Sequence, residues 1–68
     1  MPHYAVPEAR TVATASAMRA GPVESAEQVG EVEAGAQFLL LDVIGDWGWG
    51  FRASDHLVGY VRTADLAD

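Results

Sequence analysis

The stretch Asp46-Trp-Gly-Trp-Gly-Phe-Arg-Ala-Ser-Asp-His-Leu-Val-Gly-Tyr-Val-Arg62 decides the fold of this chain. Two runs rich in aromatic and β-branched residues flank the turn-forming Ser54-Asp55-His56, which predicts an antiparallel hairpin. In the first run Trp47, Trp49 and Phe51 alternate with glycine, so all three rings leave one face of the predicted strand. A lone hairpin leaves most of its apolar area in water, so the rest of the chain must cover this ribbon.

The length of 68 residues allows one domain with one small core and modest stability. The chain contains no cysteine. Disulfide bonds, thiolate metal sites and a thiol nucleophile are therefore all excluded, and the chain is not a thiol hydrolase by itself.

The formal net charge is −6, from four arginines and ten acidic residues. Such a surface repels phosphate backbones and anionic lipid, so we expect neither nucleic acid nor a membrane surface as a partner. The N-terminus has no basic or apolar leader region, and the longest apolar run, 38–41, is far too short for a transmembrane span. We expect no signal peptide or transmembrane segment within these residues, which leaves cytoplasmic and cell-envelope locations both open.

Prolines at positions 2 and 7 predict an extended lead-in or linker over residues 1–10, followed by one domain over 11–68. Gly35 and Gly45 mark turns, Gly35 as the residue able to adopt positive φ. In the segment 15–20 we expect Met18 in the core and Arg19 outside. The predicted extended segments are 11–14, 15–20, 29–33, 37–43 and the two arms of the hairpin.

These short segments predict an all-β fold, a small and strongly bent antiparallel barrel of about five strands. The run Phe38-Leu39-Leu40-Leu41 indicates burial on both faces, or a core on one face and a loop over the other. Residues 63–66 predict a single 3₁₀ turn with Thr63 as its cap and Leu66 folding back.

Several short motifs of this chain, taken in order, resemble those of bacterial SH3-like (SH3b) domains. The matching pieces, in order, are Ala17-Met18-Arg19-Ala20-Gly21-Pro22, Gly35, Gly45-Asp46-Trp47, Val58-Gly59-Tyr60-Val61 and Leu66. SH3b domains commonly read Asn-Val-Arg-Ser-Gly-Pro, a glycine turn, Gly-Trp, Gly-Trp-Val and a closing leucine. The resemblance covers nearly the whole chain and implies an SH3-like barrel over 11–68.

The variant it resembles most is the N-terminal SH3 domain of NlpC/P60 cysteine peptidases of the γ-D-glutamyl-diamino-acid endopeptidase type. The cues are Met18-Arg19-Ala20-Gly21-Pro22, the paired Trp47-Gly48-Trp49, Asp55 in the hairpin turn and Val58-Gly59-Tyr60-Val61. In that family the SH3 domain packs beside the catalytic domain and helps to shape the site that holds a murein peptide. The resemblance therefore implies a non-catalytic module with two partners, a murein peptide and an NlpC/P60 catalytic domain.

Three positions depart from the SH3b pattern. Ala17 stands where many of these domains have asparagine, which removes a side-chain cap. His56 occupies a turn position that usually carries glycine, and Leu57 stands where tyrosine is frequent. The last two change the loop and the edge that would face a ligand.

The candidate ligand-binding residues are Trp47, Trp49 and Tyr60, with Asp46 and Asp55 beside them. Indole offers a large rigid face and one donor, and the tyrosine hydroxyl suits an amine or a carboxylate. The aspartates, with Asp42, are candidates for gripping a peptide amine. The alternatives are that the rings pack within the fold and that the turn aspartates bind their own backbone.

No metal or cofactor is expected. The chain has two histidines, His3 and His56, and nothing has the spacing of three or four convergent metal ligands. Adjacent residues such as Asp55 and His56 point apart in extended chain, which argues against an acid–base pair. Arg19 is either a carboxylate ligand or a solvated, locally paired arginine.

The sequence thus predicts a non-catalytic SH3b module that binds or positions murein peptide for an associated NlpC/P60 peptidase domain. One alternative is a free-standing domain that binds a protein or an extended peptide, for instance by sheet-edge pairing. Another is a purely structural domain whose aromatic face packs against a neighbouring domain.

Overall fold

The computed structural model of the protein describes residues 7–67, which form one antiparallel sheet in the order β3-β2-β6-β5-β4-β1-β7. The predicted all-β class is confirmed. A 3₁₀ turn, Thr63–Asp65, separates the last two strands. The strands are β1 (Glu8–Val12), β2 (Ser16–Arg19), β3 (Gln28–Val32), β4 (Gln37–Ile44), β5 (Trp47–Arg52), β6 (Val58–Arg62) and β7 (Leu66–Ala67).

The core is one cluster of apolar side chains contributed by five of the strands. Met18 is fully buried, as predicted, and Phe38 and Leu40 enter the cluster from alternate positions of β4. Leu39 lies between these two residues and Leu41 follows them, and both are half-buried. The buried set is Val12, Met18, Val32, Phe38, Leu40 and Val61, with Ala36, Leu57 and Leu66 partly buried against it.

Strand β5 turns its glycines, not its rings, towards the core. Gly48 and Gly50 are buried, whereas Trp47, Trp49 and Phe51 are half-buried on the opposite face. The missing side chains leave room for the bulky residues of β4, which pack over the backbone of β5. We call the surface formed by Trp47, Trp49 and Phe51 of β5 and Tyr60 of β6 the aromatic face.

Within residues 7–67 three residues adopt positive φ, and each lies between two strands. Gly35 and Gly45 have φ of 89° and 59°, which fits the two turns predicted there. His56 has φ of 60°, an unusual conformation for a residue with a β-carbon. Its N–H donates to the Arg52 carbonyl oxygen (2.7 Å), and its ring meets the Phe51 ring edge-on with centroids 5.3 Å apart. Glycine adopts positive φ without strain, whereas at this position these two contacts accompany a histidine.

The predicted barrel of about five strands needs correction, because residues 7–67 form seven strands in a single unclosed sheet. The edge strands, β3 and β7, each pair on one side only. The additional strand at the C-terminus arises where Leu66–Ala67 pairs with Val12 and Thr11 of β1. A two-residue pairing so far apart in the chain has no local sequence signal. The sheet bends enough to enclose one core without joining its edges.

The predicted cap of the 3₁₀ turn is wrong. The N-cap residue is Arg62, without a side-chain cap hydrogen bond, and Thr63 is already inside the turn. The Thr63 hydroxyl instead donates to the Asp46 carbonyl oxygen (3.2 Å), which also accepts from the Thr63 N–H (2.9 Å). Thr63 therefore ties the end of β6 to the turn that begins β5.

The first strand begins at Glu8, inside the stretch predicted as a lead-in, while residues 1–6 of that stretch lie outside the described part of the chain. Between residues 7 and 67 we find no helix with the length and apolarity needed to cross a membrane.

Candidate functional site

A cleft of about 530 Å³ opens at one end of the aromatic face. Its walls come from the β1–β2 loop and β2, from the loop after β2, and from the ends of β5 and β6. Only Trp47 of the five candidate ligand-binding residues lines it. The lining residues are 15–17, Arg19, Glu24, Trp47, Arg62 and Asp65.

The floor of the cleft is built on the pair Trp47 and Arg62, which lie opposite each other in the β5–β6 register. The Arg62 guanidinium carbon sits over the Trp47 ring, 5.0 Å from its centroid. A cation held over an indole face in this way is stabilised by the ring quadrupole. The Arg62 Nη2 also forms an ion pair with the Glu24 carboxylate, whose side chain remains 72% exposed.

Arg19 brings a second guanidinium to the cleft from the end of β2. Its Nη1 donates to the Ala26 carbonyl oxygen (3.3 Å), which ties the loop after β2 to the strand. Because a guanidinium has five N–H donors, this one bond leaves most of its hydrogen-bonding capacity for other groups.

The other two aromatic candidates lie one row further along the sheet. Trp49 and Tyr60 are register partners on β5 and β6, as the predicted cross-strand pairing required. In the same row Asp42 of β4 lies beside Trp49, and Arg19 of β2 lies beside Tyr60. Side chains of register partners share one face of the sheet. The row therefore has a carboxylate at one end, two rings in the middle and a guanidinium at the other end.

The acidic candidates differ in what their carboxylates do. Asp46 is exposed in the turn before Trp47, and its side chain makes no hydrogen bond or ion pair within residues 7–67. Asp42 accepts a hydrogen bond from the next backbone N–H, that of Val43 (2.8 Å). Asp46 is thus a carboxylate beside the cleft that remains available to a ligand.

Asp55, by contrast, organises the hairpin loop. Its two oxygens accept from Arg52 Nε (2.9 Å) and Nη2 (2.5 Å), and one of them also accepts from the Leu57 N–H (3.2 Å). Arg52 in turn donates to the Glu31 carbonyl oxygen (2.5 Å), so the loop is fastened to β3. The Arg52 hydrogen bonds lower the pKa of Asp55 to about 2 and raise that of Arg52.

This pKa shift predicts the acid sensitivity of the hairpin. Because the pKa of Asp55 is about 2 when folded, below its ordinary 3.8, the ion pair stabilises the fold above pH 3.8 and loses that effect as the pH falls towards 2. Urea unfolding from pH 5 to pH 2 should show that Asp55→Asn is less stable than wild type at pH 5, with a gap that narrows towards pH 2. Asp46→Asn, which removes an exposed carboxylate from the other hairpin turn, should show no such gap, and a constant gap for Asp55→Asn would contradict the assignment.

Sequence reasoning missed the most informative member of this site. Arg62 carries no motif, and we did not consider it a candidate. A signal did exist, because pairing the two arms across the predicted Ser54-Asp55-His56 loop brings Arg62 close to Trp47. Glu24 and Asp65 had no comparable signal.

In residues 7–67 no three histidine or carboxylate side chains converge as a metal site would require. His3 lies outside that part of the chain.

The family comparison agrees with the architecture. The family described as the bacterial dipeptidyl-peptidase SH3 domain matches residues 18–66, well over half of the chain. No curated protein and no solved structure showed a significant match. The matched region contains Trp47, Arg62 and the loop that carries Glu24. With this match and its all-β sheet, the chain belongs to the bacterial dipeptidyl-peptidase SH3 domain family.

Proposed function

We propose that this domain is a non-catalytic module that binds a murein peptide and positions it for an associated NlpC/P60 cysteine peptidase domain. The family description, which ties such SH3 domains to bacterial dipeptidyl-peptidases, supports a peptidase as the neighbour. The chain brings no cysteine of its own to that chemistry. Its contribution is recognition.

The observation that carries the proposal is the arrangement of charge around the aromatic face. Trp47 and Trp49 offer half-exposed indole surfaces, the exposed Asp46 lies next to Trp47, and Arg19 and Arg62 line the cleft. A murein stem peptide carries both an amino group and carboxylates. Aromatic rings supply contact area at little entropic cost, while charged groups at separate positions orient a zwitterionic ligand.

Replacement of Trp47 by alanine tests this function. We expect the 68-residue chain to bind murein tripeptide with backbone amide shifts clustered at Trp47, Trp49 and Tyr60. Trp47→Ala should weaken that binding by about 30-fold, equivalent to about 2 kcal/mol, because it removes a central ring and the support of Arg62. Trp47→Phe should retain a measurable part of the affinity, since it keeps an aromatic surface beneath Arg62.

Val58→Ala is the matched control. Val58 lies on the same face of the sheet, opposite Phe51 and away from the cleft, and its side chain is exposed. Its truncation should leave the affinity for murein tripeptide unchanged. Absence of any shift with the wild-type chain would rule out binding by the isolated domain.

One observation favours a second candidate, a domain that packs its aromatic face against a neighbouring domain. Ile44 and Val58, at opposite corners of this face, are 44% and 51% exposed. Exposed apolar side chains around half-buried rings are typical of a surface that another protein covers. An amide response to murein tripeptide confined to residues remote from this face would support that candidate.

Sheet-edge pairing has less support. At the free edge strand β3, the carbonyl oxygens of Gly30 and Glu31 accept hydrogen bonds from the side chains of Gln28 (3.2 Å) and Arg52 (2.5 Å). Consecutive carbonyls of a strand point to opposite sides, so one of these two faces the free edge, and there the side-chain hydrogen bond competes with an added strand.

A further inference from the structure

The cleft beside Trp47 brings two guanidinium groups together in a chain that has few arginines. Two of the four arginines, Arg19 and Arg62, line this one cleft. The other two pair with neighbouring carboxylates, Arg10 with Glu8 and Arg52 with Asp55. Glu24 and Asp65 also line the cleft, so its formal charge is zero in a chain of net charge −6, and an anion meets less repulsion there than over the rest of the surface.

Arg62 is held in place independently of the anion it binds. The backbone pairing of β6 with β5 fixes its position opposite Trp47, and the indole ring supports its guanidinium from one side. A planar guanidinium with fixed orientation suits a carboxylate, which it can engage through two parallel N–H···O bonds. The donor is therefore ready before a ligand arrives.

A carboxylate of this chain already occupies Arg62. Glu24 lies in the loop between β2 and β3, and its carboxylate forms the ion pair with Arg62. Both side chains are well exposed, at 72% for Glu24 and 41% for Arg62. Ion pairs with such exposure are weak because water screens them and two flexible side chains must be ordered. An incoming carboxylate can therefore replace Glu24 at small cost.

From these contacts we infer that the cleft is a carboxylate-binding site for a peptide, in which Glu24 occupies Arg62 until the ligand displaces it. The inference rests on the proposed function for the peptide nature of the ligand. It adds the group that is recognised and the residue that competes with it. Arg62 over Trp47 is the principal anchor, and Arg19 supplies further donors from the adjacent strand β2. The small side chains of residues 15–17 leave the opening free.

The test uses the 68-residue chain and acetyl-Ala-Ala as a probe, with its C-terminal amide as the uncharged counterpart. Binding is followed by tryptophan fluorescence and by amide shifts. We expect the acid to bind and the amide to bind at least tenfold more weakly, because the amide lacks the anion that Arg62 takes. Equal affinity for acid and amide would overturn the inference.

Glu24→Gln distinguishes competition between Glu24 and the ligand for Arg62 from general repulsion of the ligand by the negative charge of the chain. Removal of the competing carboxylate should raise the affinity for the acid about three- to five-fold. The matched control is Glu27→Gln, which removes the same charge from the same loop at a residue that does not line the cleft. It should change the affinity by less than a factor of about 1.5. An equal gain from both variants would mean that net charge, not displacement of Glu24, governs binding.

Arg62→Gln should reduce the affinity for the acid at least tenfold, and Arg62→Lys should give an intermediate loss because lysine keeps the charge without the planar fork. Arg10→Gln, outside the cleft, should leave the affinity for the acid unchanged.

Murein tripeptide separates this inference from the proposed function. Binding of acetyl-Ala-Ala without binding of murein tripeptide would contradict the function alone, and binding of the tripeptide without any dependence on Glu24 or Arg62 would contradict the inference alone.

Discussion

Gly50→Ala should destabilise the domain by about 3 kcal/mol or more, which is a large part of the roughly 3–10 kcal/mol expected for a chain of this length. A β-carbon at Gly50 would collide with the Leu39 carbonyl oxygen and lie 2.9 Å from the Leu39 carbonyl carbon. These are backbone atoms, so no rotamer change relieves the overlap. The pairing of β4 and β5 shifts register between Leu40 and Asp42, next to this close approach.

Gly48→Ala is the matched control, since Gly48 lies two residues away on the same face of β5. There a β-carbon would lie 2.7 Å from Leu40 Cδ1, the end of a flexible side chain. Rotation of Leu40 can relieve that contact, so we expect a loss of only about 1 kcal/mol. Thermal unfolding should place the Gly50→Ala midpoint about 12–24 °C below wild type. Equal midpoints for the two variants would mean that backbone approach at Gly50 does not constrain the sheet.

Phe38→Ala should be comparably damaging, with an expected loss of about 3–5 kcal/mol. Phe38 is fully buried in the six-residue core, and its ring lies against the β5 backbone at Gly50. Removal of the ring both withdraws apolar area from the core and leaves a cavity, since the sheet around it has little freedom to collapse. Among residues 7–67 Phe38 is the largest of the fully buried side chains, so its loss removes a large share of the core.

Phe51→Ala provides the same chemical change on the other face of the sheet. Because Phe51 is half-buried, we expect a loss of about 1–2 kcal/mol, mainly through its contacts with neighbouring side chains. Urea unfolding followed by tryptophan fluorescence gives both free energies. If Phe38→Ala proves unfolded, Phe38→Leu supplies a measurable loss for the same site. A larger loss at Phe51 than at Phe38 would show that the aromatic face, not the glycine face of β5, is the core.

Local patterns predicted much of the secondary structure. Glycine and short polar residues located the turns at Gly35 and Gly45 because backbone conformation there depends on the residue itself. Met18 was placed in the core because residues 15–20 were assigned as extended, and the hairpin centred on residues 53–57 followed from the residues that flank it. Two exceptions, β7 and the role of Thr63, depend on partners distant in the chain, Val12 and Asp46.

The candidate site likewise contains residues that the sequence identified and residues that it did not. Trp47 was identified because a tryptophan that follows a turn is suited to binding. Arg62 and Glu24 were not, because their significance lies in one contact over the indole ring and one ion pair across the cleft. Asp55 was proposed for a ligand amine, with a bond to its own backbone as the alternative; its carboxylate binds the Leu57 N–H, in agreement with that alternative, and also Arg52.

The sequence by itself determined that this protein is a small acidic chain of short strands without cysteine, and that three rings of β5 share one face. Alternation and turn chemistry act between neighbours, so they can be read from the chain. Only the tertiary structure decided which face of β5 the core would cover. Glycines admit the large residues of β4 against the β5 backbone, and the rings are left on the outside, where Trp47 supports Arg62. That choice depends on how side chains from distant strands fill one volume, which no local pattern encodes.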